Sequence, residues 1–262
     1  MISLFIADGV AEVVLNAPHK LNSLDEQALK DLGDAYDDAA SAASGGEVRA
    51  LLLRGEGRAF CAGRDISGVT PESDDAAAYL AGLVQPLLKK MSAFPAPTFA
   101  AAQGACLGVG LGLLLATDVV YVAADAKFGS PFAKLGATLD SGGHWYFTER
   151  LGMHRTLDLI YTAELMSGTE AVAQGMFSRA MPKGELLENT RQIVRGVASG
   201  ATGAFHASKE LVAHIRDQRL GLWEAMEEEN AEQARLCKTE DYAEGFRAFQ
   251  EKRAPQFKGT GV

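Results

Sequence analysis

Short apolar runs of strand length alternate with stretches of helical periodicity over the first half of the chain. The apolar runs predict strands at Ile2–Ala7, Val10–Leu15, Val48–Arg54, Pro97–Ala102 and Val119–Ala123. The periodic stretches predict helices at Asp25–Ala42, Asp75–Ala93 and Leu107–Ala116. Ser23 and Glu26 have the spacing of a capping box at the start of the first of these helices. Strand–helix alternation with short connections predicts an α/β layer structure.

Helical patterns dominate the last third of the chain. They predict helices at Thr169–Gln174, Leu186–Ala198, Ala201–Asp217, Leu222–Leu236 and Asp241–Gln250. No internal repeat and no long linker interrupts the chain. We therefore predict an α/β core over residues 1–198 and a helical region over residues 199–262.

One stretch without a charged residue, Met91–Thr117, is long enough to suggest a membrane span. It is interrupted by residues that a plain apolar span disfavours, namely Pro95, Pro97, Gln103, Gly104, Gly108, Gly110 and Gly112. A buried strand, a glycine-rich turn and a buried helix explain the stretch better.

Composition and charge narrow the function classes. The 262 residues are 47% hydrophobic and 23% charged, and the formal net charge of −9 disfavours nucleic acid or an anionic membrane as the main partner. The three cysteines lie far apart, which predicts a reducing, cytoplasmic location without a disulfide framework. The histidines and cysteines lack ligand spacing, so we expect no metal site.

Two glycine-rich turns follow predicted buried strands: Arg58–Ile66 (RAFCAGRDI) and Gln103–Gly112 (QGACLGVGLG). Small residues let main-chain amides come close to a ligand, and the second turn also opens a helix, where amides point outward. The glycine spacing of the second turn does not match a dinucleotide-binding fingerprint. Either turn alone is more often a packing device than a ligand site.

Together, in this order and about 45 residues apart, the two turns resemble the crotonase superfamily, that is, the enoyl-CoA hydratase/isomerase family. So do NAPHKLNSLD (Asn16–Asp25), KLGATLDSGG (Lys134–Gly143) and LMSGTEAVAQGMFSRAMP (Leu165–Pro182). The resemblance implies a spiral of ββα turns with a C-terminal helical region that mediates oligomerisation and covers the acyl pocket. It also implies homotrimers or dimers of trimers, with acyl-CoA as the substrate and no separate cofactor.

Carried over to this sequence, the resemblance implies that the main-chain amides of Arg64 and Val109 form an oxyanion hole for a thioester enolate. One such donor is worth about 3–4 kcal/mol in rate. The residues implied to contact the substrate and its CoA portion are Lys20, Ala62, Arg64, Asp65, Ile66, Val109 and Phe132.

The sequence departs from the hydratases of this family, which have glutamates at the positions of Gly112 and Phe132. Asp140 remains, at a position where some isomerases of the family have a functional aspartate. In this segment the chain resembles 1,2-epoxyphenylacetyl-CoA isomerase and Δ3,Δ2-enoyl-CoA isomerases. An apolar lining from Phe132 and Leu139 would raise the pKa of Asp140 and improve it as a base. The alternative is that Asp140 only caps the helix expected to begin near Ser141.

Two further side chains lie near this predicted site. His144 is one helical turn beyond Asp140, and we expect a packing or supporting role for it more than a proton-handling one. Cys61 lies beside the first oxyanion donor without an evident base, so we expect it to pack. We therefore predict an enoyl-CoA or ring-epoxide acyl-CoA isomerase, with an enoyl-CoA hydratase and a non-catalytic acyl-CoA-binding protein as the alternatives.

Overall fold

The computed structural model describes residues 1–259 of the chain. In chain order its strands are β1 (Ile2–Ala7), β2 (Val10–Leu15), β3 (Ala50–Gly55), β4 (Thr98–Ala102), β5 (Ala105–Leu107), β6 (Val119–Ala123), β7 (Lys127–Gly129), β8 (Met166–Ser167) and β9 (Arg179–Met181). Its α-helices are α1 (Glu26–Ser44), α2 (Ala76–Tyr79), α3 (Gln85–Ser92), α4 (Val109–Leu115), α5 (Gly143–Thr162), α6 (Gly168–Ala173), α7 (Lys183–Ala198), α8 (Thr202–Gln218), α9 (Leu222–Leu236) and α10 (Glu240–Glu251). A π-helical turn, Leu80–Val84, joins α2 to α3.

The larger sheet has the strand order β1-β2-β3-β4-β6-β9. β1 and β2 form an antiparallel hairpin around Asp8 and Gly9, which both have positive φ, and the other neighbours are parallel. The central strands β3 (ALLLRG) and β4 (TFAAA) are buried along almost their whole length. Parallel strands covered on both faces read as such continuous apolar runs, and α7 packs against β2, β3, β4 and β6.

A smaller sheet, with the order β5-β7-β8, stands beside the larger one. β4 of the larger sheet is followed by β5 of the smaller sheet and then by α4, and β6 is followed in the same way by β7. This strand–strand–helix order agrees with the ββα spiral that the family resemblance implies. It also brings the turn before α4 to the junction of the two sheets.

The predicted strands and helices are present, with ends that differ by a few residues, but two details of the sequence analysis were wrong. The capping box is not formed, because the N-cap of α1 is Asp25, whose Oδ1 accepts from the amide of Ala28 at 2.8 Å. The helix predicted from Leu107 begins at Val109, because Ala105–Leu107 pairs with β7 as a strand. β7, β8 and β9 are two or three residues long and were not predicted.

The C-terminal helices α8, α9 and α10 follow the sheet, and the boundary predicted after residue 198 falls in the turn between α7 and α8. The last three residues of the predicted helical region, 260–262, lie outside the described residues. The charge-free stretch Met91–Thr117 is divided among the end of α3, β4, β5 and α4. Among residues 1–259 there is no helix with the length and apolar character that crossing a membrane requires.

Candidate active site

The two glycine-rich turns lie side by side in the structure. Cys61 of the first turn forms a parallel β-bridge with Cys106 of β5. The Cys61 amide donates to the carbonyl of Ala105 at 3.1 Å, and the Leu107 amide donates to the carbonyl of Cys61 at 3.0 Å. Segments about 45 residues apart in sequence are therefore held in register by main-chain hydrogen bonds.

The closest approach of the two turns is at a pair of glycines. A Cβ atom built on Gly63 would lie 3.0 Å from the carbonyl oxygen of Leu107 and 3.9 Å from the Cα of Gly108. Both glycines have positive φ, 103° and 52°. A side chain at either position would strain the backbone and push the turns apart. Arg64 and Val109 follow these glycines directly in the sequence. Their amide groups therefore belong to the two peptide units next to this close approach.

Both of these amides are available to a ligand. The Leu24 amide donates to the carbonyl of Gly63 and the Asp65 amide donates to the carbonyl of Leu24, each at 2.8 Å, so the Arg64 amide between them points away from Leu24. Val109 is the first residue of α4, where an amide has no acceptor within its own helix. Within residues 1–259, neither amide donates a hydrogen bond to another protein atom.

Asp140 lies next to the first turn of α4. The Ser141 hydroxyl donates to Oδ1 of Asp140 at 2.8 Å. The Cβ of Ser141 is only 2.4 Å from the position that a Cβ on Gly112 would occupy, so any larger residue at position 112 would displace Ser141. Gly112 follows Val109 by about one helical turn. The Asp140–Ser141 pair is thereby brought close to the second free amide.

Partial burial raises the pKa of Asp140 above its ordinary value, and the Ser141 hydroxyl and the positive charge of Arg64 oppose this shift. The carboxyl group does not cap a helix. The N-cap of α5 is Gly142, with φ of 80° and no side-chain hydrogen bond to the helix. The capping interpretation of Asp140 was therefore wrong, and its carboxylate is left for another use.

An open cleft of about 960 Å³ has Asp140 and Gly112 in its wall. One side is formed by the continuous helical segment α2–α3, through residues such as Ala77, Leu80 and Val84. The other walls come from the beginning of α5 and from α8. The remaining lining residues are Ala81, Gln85, Leu88, Lys89, Ser92, Ala93, Ala116, Leu139, Ser141, Gly142, Gly143, His144, Trp145, Tyr146, Ala213, Arg216 and Asp217. The cleft is large enough for an acyl group of several carbons.

The residues predicted to contact the CoA portion mostly gather at the first turn. The Lys20 ammonium lies 2.9 Å from Oδ2 of Asp65 and 3.0 Å from Oδ2 of Asp25. The Ala62 amide donates to the carbonyl of Leu21, and Ile66 is 59% exposed. Lys20, Ala62, Asp65 and Ile66 are thus neighbours, although a phosphate would have to compete with two carboxylates for the Lys20 charge.

The side chains of Arg64 and Val109, the two residues whose amides are predicted to form the oxyanion hole, have different surroundings. The Arg64 guanidinium makes a two-point ion pair with Asp74, at 2.9 and 2.7 Å, and lies 4.0 Å over the ring of Tyr79. The Val109 side chain is buried in the core. The ring of Phe132 lies against Gly108, with Cζ 3.2 Å from the position of a Cβ there, and forms an apolar wall.

His144 and Cys61 occupy different environments. His144 is exposed at the cleft, with Nε2 3.1 Å from Oγ1 of Thr138. Cys61 is fully buried, and burial raises its pKa to about 12, so the reactive thiolate is disfavoured. No cluster of three or more potential metal ligands occurs in the described part of the chain.

One important residue, Asn22, was not assigned from the sequence. It is fully buried with φ of 56°, and its Oδ1 accepts from the amide of Ala17 at 2.8 Å. Its Nδ2 donates to the carbonyls of Glu56, Ala59 and Phe60 at 2.8 to 3.1 Å. Asn22 therefore fixes the chain where it enters the first turn. The motif Asn16–Asp25 contained it, but only the structure reveals what it contacts.

Comparison with known proteins gives the evolutionary context of this site. The family model described as "Enoyl-CoA hydratase/isomerase" matches residues 6–260. The chain belongs to this family. A probable enoyl-CoA hydratase of Rhodobacter capsulatus is 33% identical over 254 residues, which cover 97% of this chain and 96% of that protein. The 1,2-epoxyphenylacetyl-CoA isomerase of Escherichia coli is 29% identical and covers 97% of both chains.

Solved structures agree with the sequence comparison. The crystal structure of an enoyl-CoA hydratase from Bacillus anthracis superimposes with a TM-score of 0.89 at 28% identity, covering 98% of this chain and 99% of that one. The fold of this enoyl-CoA hydratase/isomerase family member is accordingly the crotonase fold, as the sequence motifs predicted. Relatives named as hydratases and as an isomerase both match across nearly the full length, so the reaction has to be argued from the site.

Proposed function

We propose that this protein is an isomerase of acyl-CoA thioesters, of the Δ3,Δ2-enoyl-CoA or ring-epoxide type, with Asp140 as the proton shuttle. What supports this most directly is the partly buried carboxylate of Asp140, whose neighbour Ser141 packs against α4, the helix that begins with Val109. Within residues 1–259 the amides of Arg64 and Val109 donate to no protein atom. The amides of Arg64 and Val109 would bind the thioester oxygen. The cleft lined by α2–α3 would take the acyl chain.

In the proposed reaction on a 3-enoyl-CoA, the Asp140 carboxylate removes a proton from C2. The electron pair of the broken C–H bond moves into the C1–C2 bond, and the C1=O pair moves to the thioester oxygen, where the two amides stabilise the negative charge. The protonated Asp140 then returns the proton to C4. The carbonyl is restored and the double bond lies between C2 and C3, so a single carboxylate completes the cycle.

The surroundings of Asp140 suit this role. Burial raises its pKa, which makes the carboxylate a stronger base than a solvated one. The Ser141 hydroxyl occupies Oδ1, so Oδ2 is the oxygen left for the proton. Enolate chemistry also benefits from amides that are already oriented, because no reorganisation is needed when charge develops on the oxygen.

Enoyl-CoA hydratase is the second candidate, since several relatives carry that name. Addition of water needs one group to activate the water and one to handle the proton at the α-carbon. Position 112 is glycine and its space is filled by Ser141. The other carboxylate of the cleft, Asp217, is engaged by two hydrogen bonds from Arg216, at 2.7 and 2.9 Å. This arrangement favours isomerisation over hydration.

The test is to incubate the protein with trans-3-hexenoyl-CoA and with trans-2-hexenoyl-CoA, and to follow conjugation of the first and hydration of the second by absorbance. We expect conjugation to exceed hydration by orders of magnitude, and Asp140→Asn to abolish it. Asp158→Asn is the matched control, because Asp158 forms an exposed ion pair with Arg155 on α5. Hydration as the dominant reaction would refute the isomerase. Tight thioester binding without either reaction would identify a non-catalytic acyl-CoA-binding protein.

A further inference from the structure

Tyr79 has a buried hydroxyl group without a hydrogen-bond partner. The residue is the last of α2 and is 5% exposed. Within residues 1–259, its hydroxyl oxygen and that of Tyr36 are the buried side-chain polar atoms without a partner. Most buried polar groups in proteins are paired, so an unpaired hydroxyl needs an explanation. A group that is satisfied only when a ligand is bound is one such explanation.

Tyr79 is buried beside the cleft that contains Asp140. Its ring lies under the Arg64 guanidinium, which is 4.0 Å from the ring centroid. Ala77 and Leu80, on either side of it in sequence, line the cleft that contains Asp140. Arg64, Asp140, Cys61 and Glu26 are the ionisable groups near enough to act on the Tyr79 hydroxyl, so the hydroxyl lies in the neighbourhood of the first glycine-rich turn and of Asp140.

The Tyr79 hydroxyl keeps its proton and can donate a hydrogen bond. Burial holds the pKa of Tyr79 far above neutrality, so the O–H proton stays in place. The hydroxyl donates to no atom of residues 1–259, and Ser141, not Tyr79, is the donor to Oδ1 of Asp140. An apolar acyl chain would leave the hydroxyl unpaired, whereas a chain with an oxygen near the reacting carbons would satisfy it.

We infer that Tyr79 donates a hydrogen bond to an oxygen substituent on C3 or C4 of the acyl group, so that the site prefers oxygenated acyl-CoA thioesters over plain ones. The inference rests on the proposed function insofar as the cleft holds an acyl-CoA. It does not require that the protein isomerises its ligand. Hydrogen-bond pairing of a buried donor is also a strong source of discrimination, because the analogue without the acceptor leaves the donor unpaired.

The test measures binding by calorimetry for two pairs of thioesters that differ by one oxygen: butyryl-CoA with 3-oxobutyryl-CoA, and pentanoyl-CoA with 4-oxopentanoyl-CoA. The wild-type protein should bind the oxo member of at least one pair about 10-fold more tightly. Tyr79→Phe keeps the ring and should abolish that preference. Its thermal midpoint should be unchanged or higher, because the substitution removes an unpaired polar group.

Tyr36→Phe is the matched control. Tyr36 is also buried and unpaired, but it lies on α1 with its ring edge-on to Phe94. It should raise or preserve the thermal midpoint and leave both binding ratios unchanged. The inference is overturned if the wild type shows no preference in either pair, if Tyr79→Phe retains the preference, or if Tyr36→Phe removes it equally.

The outcomes also separate this inference from the proposed reaction. A protein that shows the preference but never conjugates trans-3-hexenoyl-CoA supports the role of Tyr79 and refutes the Δ3,Δ2-enoyl-CoA isomerase. A protein that conjugates this substrate but shows no oxygen preference refutes the role of Tyr79 and retains the isomerase. Failure to bind any of the four thioesters refutes both.

Discussion

Replacing Gly112 by alanine tests how the carboxylate is held beside the amides. The added Cβ would lie 2.4 Å from the Cβ of Ser141, whereas carbon atoms in ordinary contact are about 3.5–4.0 Å apart. Ser141 and the attached Asp140 would therefore have to retreat by roughly 1 Å or more. The helix α4 is buried on all sides at this position, so it has little freedom to move instead.

The expected effects on stability and on activity differ in size. Overpacking costs about 1–3 kcal/mol, but alanine is favoured over glycine by about 1 kcal/mol within a helix. The net loss in the free energy of unfolding should thus be no more than about 2 kcal/mol. Displacement of a catalytic group by about 1 Å can reduce the rate about 10²-fold. We therefore expect Gly112→Ala to remain folded and to lose most of its isomerase activity.

Urea unfolding and conjugation of trans-3-hexenoyl-CoA would measure the two effects. Gly196→Ala on α7 is the control, because no atom lies within 4 Å of a Cβ there, and it should be slightly stabilising and fully active. The double variant Gly112→Ala/Ser141→Gly removes the close contact and should recover the lost stability. Wild-type activity in Gly112→Ala, or strictly additive unfolding energies in the double variant, would refute the packing argument.

Three further predictions address the carboxylate, the first turn and the C-terminal helices. Ser141→Ala removes a hydrogen bond to the charged form of Asp140 and should raise its pKa further, so the acidic limb of the pH–rate profile should move to higher pH; an unmoved limb would contradict this role. Asn22→Leu leaves buried main-chain groups unpaired and should lower the free energy of unfolding by about 3 kcal/mol or more, whereas a loss below about 1 kcal/mol would contradict the assignment. Phe249 is 85% exposed on α10, and we propose that a second copy of the chain covers this face. Light scattering should show a trimer or hexamer that Phe249→Asp weakens, and a monomeric wild type would refute the proposal.

Sequence patterns predicted the layers of this fold because the strands of its core carry unbroken apolar runs. β3 and β4 are buried on both faces, and such strands stand out from the periodic helices between them. The short strands β7, β8 and β9 were missed because two or three residues are too few to show a period. The cap of α1 was misplaced because Ser23 and Asp25 both offer capping oxygens, and local spacing does not decide which one meets the helix amides.

The site was predictable only in part, because some of its contacts leave a local sequence pattern and others do not. The glycine-rich turns are visible in the sequence because a close main-chain approach excludes side chains, as at Gly63 and Gly108. The carbonyl groups that Asn22 binds lie 34 to 38 residues away along the chain, so these contacts leave no local pattern. A sequence motif shows that a glycine is present, but only the structure shows the close main-chain approach that requires it.

In the proposed site, main-chain amides bind the thioester oxygen and side chains transfer protons, which explains why one fold can support different reactions. The oxyanion donors that we propose are main-chain amides, so residues as different as Arg64 and Val109 could supply them without altering the hole. The proton-transfer groups are side chains, and each substitution changes the reaction that the hole can assist. Here Gly112 offers no carboxylate and makes room for Ser141, which in turn positions Asp140. The glycine thus removes one acid–base group and supports another, so its presence is itself an argument for isomerisation over hydration.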